Sequence, residues 1–234
     1  MYKRQYYHID GKPVLVVYLT RELETLGLLQ QVILEMRTAA AACGKDVYII
    51  GDHVWQAYSA GGVNLLDAVT VFDVYGNLGA GMYAEESELD AYFLELQTWQ
   101  NGAAAESTAF VPSVTPGFTR RVQNDQNVPL SRRMDDSNGA EGSLFAEMLQ
   151  RATSLLDSST NNLLLVNSFN NFHEGKASEM RGVPSDPGST HQLWPSRVSR
   201  YPNRTHHARP RGQWRKFNYG AIAADIWVGV RELW

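Results

Sequence analysis

Cysteine is almost missing: Cys43 is the only one in 234 residues. That excludes an internal disulfide framework and any cysteine-built zinc site. Cys43 lies in an Ala-rich helical stretch and reads as buried filler. No apolar run approaches the roughly 20 residues of a membrane-spanning helix. The opening Met1-Tyr2-Lys3-Arg4-Gln5 lacks the apolar stretch of a secretion signal. No glycine fingerprint follows the first hydrophobic run, which weighs against a dinucleotide-binding sheet. His206-His207 has no partner at ligand spacing, so neither a metal nor a cofactor is expected. Disorder as the main state is excluded too, because 44% of the residues are hydrophobic and 25 are aromatic.

What is present alternates. Val14–Tyr18, Asp46–Ile50, Ala68–Phe72, Ala109–Ser113 and Leu163–Ser168 are continuous, β-branched-rich runs that fit strands buried on both faces. Between them lie helical patterns. One runs from Arg21 to Ala42, with Leu23, Leu26, Leu29, Val32, Ile33 and Met36 on one stripe and Gly44 as its stop. A second spans Glu85–Gln100, a third Ser143–Leu156, and an amphipathic one closes the chain at Tyr219–Leu233. No strand is read before Val14.

Strands alternating with helices predict a parallel sheet with helical crossovers, in a β/α barrel or a doubly wound sheet. Both architectures build their sites at the C-terminal ends of the strands. A (β/α)8 barrel takes about 250 residues. Five strands over this length predict about five of eight β/α units, with residues 1–234 as one barrel domain lacking its first strands. Such a chain would expose two unpaired sheet edges and is expected to be aggregation-prone.

Charge is unevenly spread. The net charge is −4, yet residues 181–216 carry eight Lys/Arg against the single acid Asp186, with five of the nine prolines and three of the six histidines. This stretch reads as a basic Pro-rich loop or insertion. The acidic remainder argues against nucleic-acid binding.

Each predicted strand ends in polar residues: Asp52-His53 after the second, and Asp73-Val74-Tyr75 after the third. Val114-Thr115-Pro116-Gly117-Phe118 follows the fourth. Asp73 and Tyr75 are candidates to contact a substrate. Asp52-His53 divides between that role and loop capping, and Phe118 between stacking and core packing. The richest tail is Ser168-Phe-Asn-Asn-Phe-His-Glu-Gly-Lys-Ala-Ser-Glu179. A carboxylic acid at a barrel mouth beside aromatics can hold its proton to neutral pH and act as a general acid. Glu174 is that candidate. Its alternative is an ion pair that organises the loop.

This tail resembles the motif Ser-Phe/Tyr-Asn-Glu-Trp-His-Glu-Gly-Thr-Gln-Ile-Glu of glycoside hydrolase family 99, the endo-α-1,2-mannosidases and mannanases. Ser168, Phe169, Asn170, His173, Glu174, Gly175 and Glu179 match it. His8-Ile-Asp-Gly-Lys-Pro-Val14, Phe72-Asp-Val-Tyr-Gly76 and Pro112–Phe118 are similar to that family in order and character. The resemblance covers roughly residues 8–180. It implies a β/α barrel that hydrolyses α-mannosidic bonds with retention through a 1,2-anhydro sugar. Carried over by position, the acid/base is Glu174 and the group facing the sugar 2-hydroxyl is Asn171. Asn170, Phe172, His173 and Glu179 would line the substrate.

Asn171 departs from the family's glutamate. An amide orients a hydroxyl but accepts no proton at neutral pH, and base assistance is worth about 10²–10⁴ in rate. Asp52, Asp73 or Glu179 would have to substitute, or the barrel binds sugar without cleaving it. Phe172 replaces Trp, and Lys176-Ala-Ser178 replaces Thr-Gln-Ile. The partner expected is an oligosaccharide, in an extracytoplasmic setting implied by the resemblance only. The oligomeric state stays open.

Overall fold

Asp10 and Gly11 both take positive φ, 50° and 75°, the requirement of a two-residue type I′ hairpin. They join β1 (His8–Ile9) to β2 (Lys12–Val17) in an antiparallel pair. The computed structural model describes residues 7–78, 81–118, 129–134 and 139–167. After β2 the strands are β3 (Tyr48–Asp52), β4 (Ala68–Thr70), β5 (Ala109–Val111), β6 (Ser113–Val114) and β7 (Leu165–Val166). β2, β3, β4 and β5 pair in parallel in chain order, and β6 pairs in parallel with β7. Within each run of paired strands, β1 to β5 and β6 to β7, every strand lies beside the next one in sequence. That is the winding of a barrel wall; a doubly wound sheet reverses its order at a switch point.

Side chains alternate between two cores. Val14, Tyr48, Ile50, Ala68, Val111, Leu163 and Leu165 form one cluster with Ile9, joined by Val16 and Ala109. Contact between the first and last strands on this face requires the sheet to curl around it. The intervening residues, among them Ile49, Val69 and Phe110, pack outward against the helices. At the N-terminal end the Tyr7 hydroxyl donates to the Thr160 carbonyl, 3.5 Å away, tying the hairpin to the segment that enters β7.

The helices are α1 (Thr20–Thr25), α2 (Leu29–Ala42), α3 (Val74–Leu78), α4 (Glu86–Ala105) and α5 (Ser143–Ala152). α4 starts at a reciprocal capping box between Glu85 and Glu88 and buries Leu89, Tyr92, Leu96, Trp99 and Ala103, the i, i+3, i+7 rhythm of one helical face. α2 buries Leu29 and Ile33. It ends where Gly44 N–H bonds Ala41 O and Lys45 N–H bonds Ala40 O, the Schellman pattern its sequence suggested.

Four expectations are corrected. The single helix from Arg21 to Ala42 is two, because Gly27 turns left-handed (φ 68°) and Leu28 N–H closes back on Leu23 O; Leu26, placed on the buried stripe, is exposed. The fourth strand is split by Pro112, which has no N–H to give a ladder, so β5 pairs with β4 and β6 with β7. β1 precedes Val14. Cys43 caps α2 in solvent. The predicted helix from Tyr219 to Leu233 and the basic segment 181–216 lie outside the described residues.

Candidate active site at the C-terminal rim

The inward-facing side chains nearest the C-terminal ends of the strands are Tyr18, Asp52, Phe72 and Asn167. With Val16, Thr70 and Leu165 they line a small pocket. Tyr18 and Phe72 meet edge to face, with ring centroids 4.8 Å apart, an apolar wall of the kind sugar rings pack against.

Asp52 is 1% exposed. Its Oδ2 accepts from Leu19 N–H at 3.0 Å and from Arg21 Nη1 at 2.9 Å, and its Oδ1 accepts from Phe72 N–H at 2.9 Å. Burial pushes its pKa upward, while Arg21 and the two amides pull it back. All three partners are donors, so the ionised form is the one that fits. The Arg21 guanidinium also lies 4.9 Å from the Trp55 ring centroid. One carboxylate thus ties together the ends of β2, β3 and β4.

His53 points into the outer layer. Its Nε2 is 2.7 Å from the Gly61 carbonyl, which can only accept, so Nε2 carries the proton and Nδ1 accepts from the Thr20 hydroxyl at 3.2 Å. Burial lowers its pKa. His53 is therefore a neutral strut between β3, α1 and the following loop, away from the pocket.

Asp73 sits at the N-terminus of α3, and its Oδ1 accepts from Gly76 N–H at 3.0 Å. Tyr75 stacks on Phe118 with centroids 4.3 Å apart and planes 24° apart. Phe118 is buried in the outer core, where its backbone pairs with Leu130. The structure brings Asp52 to the pocket and groups Tyr75 with Phe118. Glu174, Asn171, Asn170, Phe172, His173 and Glu179 lie outside the described residues.

Asn167 was missed. It is buried, and its Nδ2 donates to Ser113 Oγ at 2.7 Å, Phe72 O at 2.8 Å and Val71 O at 3.2 Å. The signal was there: an amide at the end of an apolar strand, in a register facing inward. Hydrogen bonds run from Leu19 and Arg21 through Asp52, the Phe72 peptide and Asn167 to Ser113, linking β3 and β6 to the residues that follow β2, β4 and β7. Among the described residues no cluster of three or more His, Cys, Asp or Glu could hold a metal ion. No described helix is long and apolar enough to cross a membrane.

No family model matches the chain, and no curated protein matches it. Among solved structures it is similar to a "glycoside hydrolase-like protein", at 23% identity and a TM-score of 0.47 over 74% of this chain and 48% of that one. It is also similar to a GH99 endo-alpha-mannosidase from Bacteroides thetaiotaomicron. One structure of that enzyme, in complex with BIS-TRIS-propane, gives 17% identity and a TM-score of 0.48 over 73% of this chain and 48% of that one. A second gives 16% and 0.46, over 73% and 45%. The chain spans about half the length of these structures.

Proposed function

We propose that this chain carries the catalytic rim of a retaining glycoside hydrolase acting on α-mannosidic linkages, built on a (β/α)8 barrel, with Glu174 as general acid and then base. The observation that carries the reading is positional. The segment resembling the family 99 motif begins at Ser168, directly after Asn167, the residue that follows β7 and lines the rim pocket. Glu174 follows seven residues later in sequence, and barrel enzymes gather their chemistry at this edge, which supports the reading. Beside the Tyr18–Phe72 wall, Glu174 would keep its proton to neutral pH and pass it to the glycosidic oxygen as the C–O bond breaks. It would then take a proton from the water that completes hydrolysis. Asn170, Phe172, His173 and Glu179 would contact the sugar, with Asp73 and Tyr75 at the neighbouring loop.

A second reading, a barrel that binds mannosides without cleaving them, is favoured by one observation. Asn171 stands where the family's 2-hydroxyl base belongs, and Asp52, the buried carboxylate nearest the pocket, already serves three donors.

Proton NMR of an α-1,2-mannose oligosaccharide incubated with the chain separates the two. Hydrolysis that releases the α-anomer first, and stops in Glu174→Gln, supports the enzyme. Calorimetric binding without turnover, converted to turnover by Asn171→Glu, supports the binding barrel. Neither binding nor turnover would contradict both.

A further inference from the structure

One rim aromatic takes no part in the contacts above. Trp55 follows β3 and is half-buried. The Arg21 guanidinium, from α1, lies 4.9 Å from its ring centroid. The far edge of its six-membered ring rests on α3 at Gly76. A Cβ there would come within 2.7 Å of Trp55 Cη2 and 2.9 Å of its Cζ3. The same Cβ would come within 2.9 Å of Asp73 Oδ2, so ring and carboxylate meet over one glycine. Asp73 Oδ1 accepts from Gly76 N–H, while Oδ2 has no hydrogen-bond partner among the described residues. The Trp55 indole N–H has none among them either. It is not one of their buried polar atoms that lack a partner, so it meets solvent.

This placement is held against strain. Gln56, the next residue, takes φ 51°, a left-handed conformation uncommon outside glycine. Its N–H donates to Asn77 Oδ1 at 2.8 Å, and its C=O accepts from Trp99 Nε1 at 2.7 Å. Both peptides of the strained residue are therefore pinned, a pattern that clusters at ligand-holding sites. Core filling alone does not require it. A tryptophan that only packs is buried with its N–H bonded, as Trp99 is.

We infer that Trp55 and Asp73 form a second sugar-binding subsite on the rim, beside the pocket lined by Asp52 and Asn167, which holds a further unit of a bound oligosaccharide. The C–H face of a pyranose packs on the exposed part of the indole. The indole N–H and Asp73 Oδ2 supply a donor and an acceptor for its hydroxyls. Arg21 joins the two sites, since it faces the Trp55 ring and bonds Asp52 at 2.9 Å. The inference rests on the reading of an oligosaccharide ligand and holds for the enzyme and the binding barrel alike.

Sulfur-linked α-1,2-mannosides resist hydrolysis, so a disaccharide and a tetrasaccharide of this kind can be titrated calorimetrically into the full chain. Each affinity is independent of the folded fraction, and their ratio isolates what the longer sugar gains. Wild type should bind the tetrasaccharide at least about tenfold more tightly than the disaccharide. Trp55→Ala should lose most of that ratio and keep its disaccharide affinity; Trp55→Phe should retain most of it. Gly76→Ala, which adds a methyl where the ring rests, should lower the ratio too, and serves if Trp55→Ala does not fold. In proton–nitrogen NMR spectra of wild type, the indole signal that disappears in Trp55→Phe should shift with the tetrasaccharide. A ratio unchanged in Trp55→Ala and Gly76→Ala, whether both affinities hold or fall together, would overturn the subsite and leave the mannoside reading intact, as would an unmoved indole signal. If wild type binds neither sugar, the mannoside reading fails and this inference falls with it.

Discussion

At the scale of single residues, two neighbours on one strand end do opposite jobs. Asp52 turns inward and spends its charge on three donors. Replacing it with Asn removes the nearer of the two carboxylates that face Arg21, leaving Glu22 at 3.9 Å, and sets an amide against two N–H groups. The loss should be about 2–3 kcal/mol, read as a lowered urea midpoint; an unchanged midpoint would contradict the belt of bonds along the rim. His53 turns outward and is buried neutral. Burial holds its pKa below the ordinary 6.5, so the unfolded chain takes up a proton that the folded one refuses. This group's stabilising contribution is complete above pH 6.5 and is lost as the pH falls through the interval beneath it. Asp52 runs the other way, its raised pKa making stability fall as the pH rises through the interval above 3.8, so its effect opposes that of His53 in sign. The melting temperature of wild type should therefore drop between pH 7 and 5 more steeply than that of His53→Gln. Equal slopes would contradict the assignment. The sequence could place both residues at a strand end. It could not tell which way each pointed, because alternation alone puts the two on opposite faces without saying which face is inward, and a one-residue shift of register would exchange them.

Individual elements were legible where their periodicity was strong and blurred where a single residue broke it. Leu89, Tyr92 and Leu96 marked the face of α4 correctly, and Gly44 ended α2 where it was placed. Gly27 went unread because the leucine stripe runs straight across it; only the left-handed turn and the exposure of Leu26 show that backbone geometry won over periodicity. Pro112 was absorbed into a strand whose residues are otherwise good strand formers. Asp10-Gly11 is a strong hairpin signal, overlooked because its strand has only two residues. Gly51, inside β3, is an element-scale requirement of another kind. A Cβ there would sit 2.5 Å from Leu66 Cδ1 and 2.8 Å from Thr20 Oγ1, and Thr20 is already bonded to His53. Gly51→Ala should cost about 1–3 kcal/mol through overpacking, visible in thermal denaturation. A variant as stable as wild type would mean that the contact between β3 and α1 is slacker than described.

At the scale of the whole molecule, the inner cluster unites residues from the hairpin at one end of the described chain with those of β7 at the other. Such a core predicts one cooperative transition. Leu165→Ala, which removes a buried side chain from that cluster, should shift the entire melt by about 2–5 kcal/mol, with circular dichroism and tryptophan fluorescence moving together. Two separated transitions would contradict a single wall. The barrel-like winding was only half legible in sequence: alternation announced parallel strands, but order within the sheet is a matter of pairing, which no composition records.

The claim that most needs testing is that the segment following β7 supplies an acid to a glycosidic bond. Initial rates of α-1,2-mannose oligosaccharide cleavage by wild type, Glu174→Gln and Asn171→Glu test it directly. Cleavage by wild type that falls about 10²–10⁴-fold in Glu174→Gln, and rises in Asn171→Glu, is the predicted result. Cleavage that Glu174→Gln leaves untouched would contradict it.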